Sequence, residues 1–151
     1  MSEADEIPLE RLIRIAEFRA DLRVFLRHSE RACRRFDLTP QRYLLLLAIK
    51  GAPNGSERMS FTEVADRLQL SRNTVTELCA RAEDAGLLTR ERSETDQRIV
   101  YLRVTKEGER RLYATIRETD GDRADLVAAF EGLTETFRIA ARRPRATRSG
   151  A

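Results

Sequence analysis

The sequence predicts a mainly α fold carrying one small β-hairpin, and three observations predict it. Apolar residues recur at helical spacing along most of the 151 residues. Ser or Thr stands where each of several helices should begin. Only one region, Leu87 to Val104, alternates apolar and polar residues in the manner of paired strands around a polar turn.

From Pro8 to Phe36, Leu12, Ile15, Leu22, Phe25, Leu26, Cys33 and Phe36 give a long amphipathic helix with nearly heptad spacing. Asp37-Leu38-Thr39-Pro40 closes it and opens the next. Thr39 is placed to cap, and Pro40 falls at the first helical position, where its missing N–H costs nothing. Tyr43 to Ile49 is apolar on every side and predicts a central, buried helix. Gly51 to Ser56 is a loop by composition. Ser60 and Glu63 have capping-box spacing ahead of a short helix with Val64, Ala65 and Leu68 on one face. After a tight connection at Gln69-Leu70, Ser71 caps a second short helix whose inward residues are Val75, Leu78, Cys79 and Ala82. Gly86 is placed to end it.

Leu87–Arg92 and Ile99–Val104 then read as two strands joined by Ser93-Glu94-Thr95-Asp96-Gln97. Thr105 caps a further helix with Leu112, Tyr113 and Ile116, interrupted at Thr119–Asp122. In the last helix Leu126, Phe130, Leu133, Phe137 and Ala140 repeat at steps of four and three, the pattern of a coiled-coil seam.

Two short helices joined by a few residues and followed by a hairpin define a winged helix-turn-helix. The expected organisation is a disordered segment at 1–7, an N-terminal dimerisation helix at 8–36, the winged domain at 37–104, C-terminal dimerisation helices at 105–141 and a loose basic tail at 142–151. Exposed apolar stripes at both ends call for a partner, and a second copy is the simplest one. Leu12, Ile15, Leu22, Leu126, Phe130, Leu133 and Phe137 are the residues expected at that interface.

The outward face of the second short helix carries Arg72, Asn73, Thr76, Glu77 and Arg81, the donors and acceptors that read base edges in a major groove. Thr39, Gln41 and Ser71, at helix starts, are placed to hold phosphates, and Thr74 is counted with them among the residues expected to bind DNA. Arg92 and Arg98 fall near the hairpin tip, from which an arginine can enter a minor groove. Two copies would set two such helices roughly 34–36 Å apart on a pseudo-palindrome of double-stranded DNA.

The charge supports a local rather than a global footprint. The formal net charge is +3, and residues 37–104 carry as many acidic as basic groups. The 26 arginines against 2 lysines favour bidentate contacts to phosphate and guanine.

Phe61–Gly108 closely resembles the MarR family of transcription regulators. The matching residues are Leu70-Ser71, Thr74-Val75-Thr76, then Leu78, Arg81, Glu83, Gly86-Leu87 and Arg90, then Asp96 and Arg98, and finally Val104-Thr105 with Gly108. The resemblance implies that Ser71–Arg81 is the recognition helix and that Arg90, Asp96 and Arg98 form the wing motif. In that motif Arg98 enters the groove, and Asp96 holds it in a bidentate, charge-assisted pair. Gln97 stands where the family more often has arginine, and the 51–59 loop looks long for the family. The implied function is a homodimeric repressor released by a small-molecule or oxidant effector bound between the dimer helices and the winged domain. A non-specific architectural DNA-binding protein and a dimeric interaction module are the alternatives.

Other classes find little support. No G-x-S-x-G elbow, phosphate-cradling glycine loop or H-E-x-x-H is present, so the expectation is no enzyme and no cofactor. Two cysteines and one histidine, His28, argue against a disulfide scaffold and a zinc finger, and no metal is expected. Cys33, beside Arg34 and Arg35, is the better redox candidate of the two thiols, with Cys79 facing inward. The acidic N-terminus and the lack of a long apolar run point to a cytoplasmic protein without a membrane partner.

Overall fold

The computed structural model of the chain describes residues 6–141, with side chains to residue 134. The order is α1 (Leu9–Arg35), α2 (Pro40–Lys50), β1 (Arg58–Ser60), α3 (Phe61–Leu68), α4 (Arg72–Asp84), β2 (Leu88–Arg92), β3 (Val100–Val104), α5 (Lys106–Glu118) and α6 (Asp120–Ala141). The expectations for residues 1–5, for the side chain of Phe137 and for the 142–151 tail lie outside the described residues. The chain divides into two compact units. One comprises α1 up to His28 together with α6, and the other runs from Ser29 to Thr119.

In the Ser29–Thr119 unit the predicted caps are in place. Thr39 Oγ1 accepts the Arg42 N–H at 3.2 Å. Ser60 and Glu63 close a reciprocal capping box, with Glu63 Oε2 accepting the Ser60 N–H at 2.7 Å. Thr105 Oγ1 accepts the Gly108 N–H at 3.0 Å. Each satisfies N–H groups that the first helical turn leaves without an intrahelical partner. The core draws on every element: Leu45, Leu46 and Ile49 from α2, Val64 from α3, Val75 and Cys79 from α4, Leu102 from β3 and Leu112 from α5 are all fully buried.

Two expectations are corrected in this unit. The hairpin is part of a three-stranded antiparallel sheet of order β1-β3-β2, in which Met59 and Arg90 both stand opposite Leu102. At three residues, β1 is too short to show alternation in sequence, and it exists because β3 offers it a second edge. The α2 helix is not buried all round: Leu44 and Leu47 are 49% and 38% exposed. An all-apolar segment contains no sign of which face will be covered. The 51–57 loop is pinned by Lys50, which donates to Glu57 at 2.7 Å and to Glu109 of α5 at 2.6 Å. These two hydrogen bonds raise the Lys50 pKa above its ordinary value, and the bond to Lys50 is the main cause that lowers that of Glu109.

In the other unit, Phe18 of α1 packs edge-to-face on Phe130 of α6, with ring centres 5.6 Å apart. His28 Nδ1 lies 2.8 Å from Asp122 Oδ1. The apolar residues expected to form one outward seam do not share one environment. Leu12 and Phe130 are exposed, Ile15, Leu22 and Leu126 are half-buried, and Leu133 is buried by its own chain. Burial of Leu133 within the single chain removes it from an outward stripe. Ile13, Val24 and Val127, which the heptad reading omitted, are exposed instead, and so is Leu26, which it included.

Gly108 tests how tightly α5 seats on the sheet. A β-carbon there would lie 2.5 Å from the Leu87 carbonyl oxygen and 2.7 Å from Val104 Cγ1, whereas one at Gly121 would meet nothing. Gly108→Ala should therefore destabilise the fold by about 1–3 kcal/mol in urea unfolding. Gly121→Ala, on the helix α6, should be neutral or stabilising by up to about 1 kcal/mol.

Candidate nucleic-acid interface

Helix α4 divides cleanly into two faces. Val75, Leu78, Cys79 and Ala82, at helical spacing, are buried. Arg72, Asn73, Thr76, Glu77 and Arg81 are exposed, as the sequence predicts. Thr74 is not on that outward face. It is half-buried, its N–H donates to Ser71 Oγ at 3.2 Å and its hydroxyl lies 2.8 Å from the same oxygen, so it builds the cap with Ser71. The Thr76 hydroxyl donates to the Arg72 carbonyl at 2.9 Å, which leaves its oxygen able to accept. Thr39 and Gln41 are exposed at the start of α2. The connection between α3 and α4 turns at Gln69, whose φ of 54° is left-handed and whose side chain donates to the Asp66 carbonyl at 2.6 Å.

The wing tip is a folded loop. Ser93, only 6% exposed, is its hub: its Oγ accepts the N–H groups of Thr95 and Asp96 at 3.3 and 3.2 Å. The Ser93 N–H donates to the Ile99 carbonyl, and the Ile99 N–H donates to the Asp96 carbonyl, each at 3.0 Å. Asp96 Oδ1 then accepts the Arg98 N–H at 3.0 Å and lies 3.4 Å from Arg98 Nε. The bidentate pair expected between Asp96 and Arg98 is therefore corrected to a single-oxygen contact. Asp96 uses one oxygen for both the backbone N–H and Nε of Arg98, whose side chain is 92% exposed. Arg92 is also exposed near this tip. Sequence reasoning passed over Ser93, although a serine two and three residues ahead of N–H groups it could accept is a recognisable local signal.

Arg90, expected at the interface through the wing motif, is engaged within the protein. Its Nε donates to Glu83 of α4 at 2.7 Å, and its guanidinium carbon lies 5.0 Å from the centre of the Phe61 ring. On the opposite face of the sheet, Glu91 accepts from both Arg58 and Arg103, and Arg58 stacks over Tyr101.

Both cysteines are buried. Burial pushes the Cys79 thiol up to about 11 and raises that of Cys33 as well. Cys33, the better redox candidate of the two by its cationic neighbours, is therefore not activated by them. Desolvation outweighs Arg34, and a thiol held protonated and out of solvent is a poor nucleophile. Among the described residues no His, Cys, Asp and Glu cluster is arranged to hold a metal ion, and no helix is long and apolar enough to cross a membrane.

A capped helix with a polar outward face, set behind a tight turn and beside a short β tongue, defines a winged helix-turn-helix. The model of the MarR family matches residues 36–99 of this chain. The chain is 34% identical over 96 residues to the HTH-type transcriptional regulator FarR of Neisseria gonorrhoeae, a match covering 64% of this chain and 62% of FarR, short of two thirds of that protein. It is 28% identical over 132 residues to the HTH-type transcriptional regulator MgrA of Staphylococcus aureus, covering 87% of this chain and 84% of MgrA. Among solved structures it shares its fold with Sco3205, a MarR family transcriptional regulator from Streptomyces coelicolor solved in complex with DNA. The TM-score is 0.65 at 22% identity, over 97% of this chain and 95% of that one.

Ser93→Ala tests whether the tip is built by its hub. The variant should lose about 1 kcal/mol of stability, and amide hydrogen exchange at Thr95 and Asp96 should speed up while that of β2 and β3 stays slow. Unchanged exchange at those two amides would mean that the strands alone shape the tip.

Proposed function

We propose that this protein is a sequence-specific DNA-binding transcription regulator that acts as a homodimeric repressor on a pseudo-palindromic operator. The observation that carries the reading is the pairing of two surfaces in the Ser29–Thr119 unit. One is the exposed polar face of α4, with Arg72, Asn73, Thr76, Glu77 and Arg81. The other is a wing tip whose internal hydrogen bonds present the Arg98 guanidinium to solvent. The first has the chemistry to read base edges and the second to enter a minor groove. The DNA-bound state of Sco3205 and the regulator names of FarR and MgrA support the same reading. The exposed apolar residues Leu12, Ile13, Val127 and Phe130 support association with a second copy.

A small-molecule effector fits this reading if it binds the DNA-competent and DNA-incompetent states with different affinity, since only that difference can shift the equilibrium. The two buried thiols give no support to an oxidant effector.

Selection from a randomised duplex library, followed by fluorescence anisotropy at several salt concentrations, tests the proposal. The wild type should enrich a pseudo-palindrome. Asn73→Ala should flatten the base preference at its contact, at a cost of about 1–3 kcal/mol on the preferred sequence. Arg98→Ala should weaken all duplexes alike and shallow the salt dependence by about one per protomer. Enrichment of no sequence, with equal binding to every duplex, would point to an architectural protein. No binding at all would point to an interaction module.

A further inference from the structure

We propose that Arg90 is a positioning residue, a strut that sets the wing against the recognition helix, and that it does not itself contact DNA. The inference rests on the DNA-binding reading above. It reassigns a residue that the wing motif places with Arg98.

Three elements meet at the Arg90 side chain. Its residue belongs to β2 and pairs in register with the buried Leu102 of β3, so it rises from the core-side face of the sheet. Its Nε donates at 2.7 Å to Glu83, one residue from the end of α4. Its guanidinium lies against the ring of Phe61, the first residue of α3. The charge also reaches the buried side of α4. Burial and the Glu83 carboxylate push the Cys79 thiol up, and Arg90 draws it down.

The contrast with Arg98 is sharp. Arg98 is 92% exposed and rests on a partner of its own loop, two residues away. Arg90 is half as exposed, at 46%, and its partner lies on another element, with a side chain only 26% exposed. An arginine that lends its charge to a phosphate must first give up such a partner. An arginine that keeps it holds the helix and the wing in the register needed for both to enter their grooves together. Glu83 is then part of the DNA-binding apparatus, although it carries a charge that DNA repels.

The two roles predict opposite behaviour of Glu83→Gln. If Arg90 is a strut, Arg90→Gln and Glu83→Gln each weaken binding to the selected duplex by about tenfold. Neither changes the slope of log affinity against log salt, because no phosphate contact is lost. The double variant is then no worse than either single one. If Arg90 is a phosphate contact, Arg90→Gln lowers that slope by about one per protomer. Glu83→Gln, by releasing the guanidinium and removing a negative charge, then leaves binding unchanged or strengthens it. That pattern overturns the proposal.

Thermal melting and titration of the active fraction accompany each variant. Should Arg90→Gln fail to fold, Glu83→Gln alone decides: weaker binding at an unchanged slope supports the strut, and equal or tighter binding refutes it. A wild type that binds no duplex would instead sink the DNA-binding reading and this proposal with it.

Discussion

The structure of the winged domain depends on one polar joint, the turn from Ala85 to Leu88. There α4 ends, the wing begins and α5 starts. The Leu87 N–H donates back to the Ala82 carbonyl at 2.9 Å, and the Leu87 carbonyl accepts the Thr105 N–H at 3.0 Å. The Thr105 hydroxyl donates to the Gly86 carbonyl at 2.6 Å. Gly86 takes a φ of 72°, a left-handed conformation that costs glycine little. Gly108 lets α5 approach until its backbone touches the Leu87 carbonyl. Buried peptide groups must find partners, and here they find them across three elements at once. The direction in which the wing leaves the helix is therefore set by hydrogen bonds as well as by packing.

That joint gives the proposed DNA-binding surface its economy. A loop that orders only on contact spends part of its binding free energy on the ordering. Here the tip is already tied by Ser93 and Asp96, the start of α4 by Ser71 and Thr74, and the end of α4 to β2 through Glu83 and Arg90. The long side chains that project from these elements, Arg72, Arg81, Arg92 and Arg98, remain exposed. Exposed arginines on a backbone tied in this way suit the proposed contact with two grooves.

Much of this was legible in the sequence because its signals are local. Each cap is a hydroxyl three residues from the N–H it serves, so Thr39, Ser60, Ser71 and Thr105 could be assigned by spacing alone, and Gly86 by its place after a helix. The two faces of α4 followed from a clear 3.6-residue period. What was missed is non-local or lacks contrast. The β1 strand owes its existence to β3, more than forty residues away in the chain. The exposure of Leu44 and Leu47 depends on what does not cover them, which an unbroken apolar run cannot encode. Arg90 and Arg98 look alike in a motif, and only the arrival of Glu83 and Phe61 beside one of them separates their surroundings. Cys33 stood out as the better redox candidate because its sequence neighbours are cationic, whereas its spatial environment is apolar.

The central claim is that helix and wing act as one pre-set surface that occupies two grooves, twice over, on a symmetric site. Hydroxyl-radical footprinting of the selected duplex measures this directly, because cleavage reports protection along the minor groove. The account predicts two protected patches related by the symmetry of the site, each at the minor groove beside a half-site, with half-site centres about 10–10.5 base pairs, or a multiple of that, apart. A single asymmetric patch, or two half-sites with no minor-groove protection beside them, would contradict it.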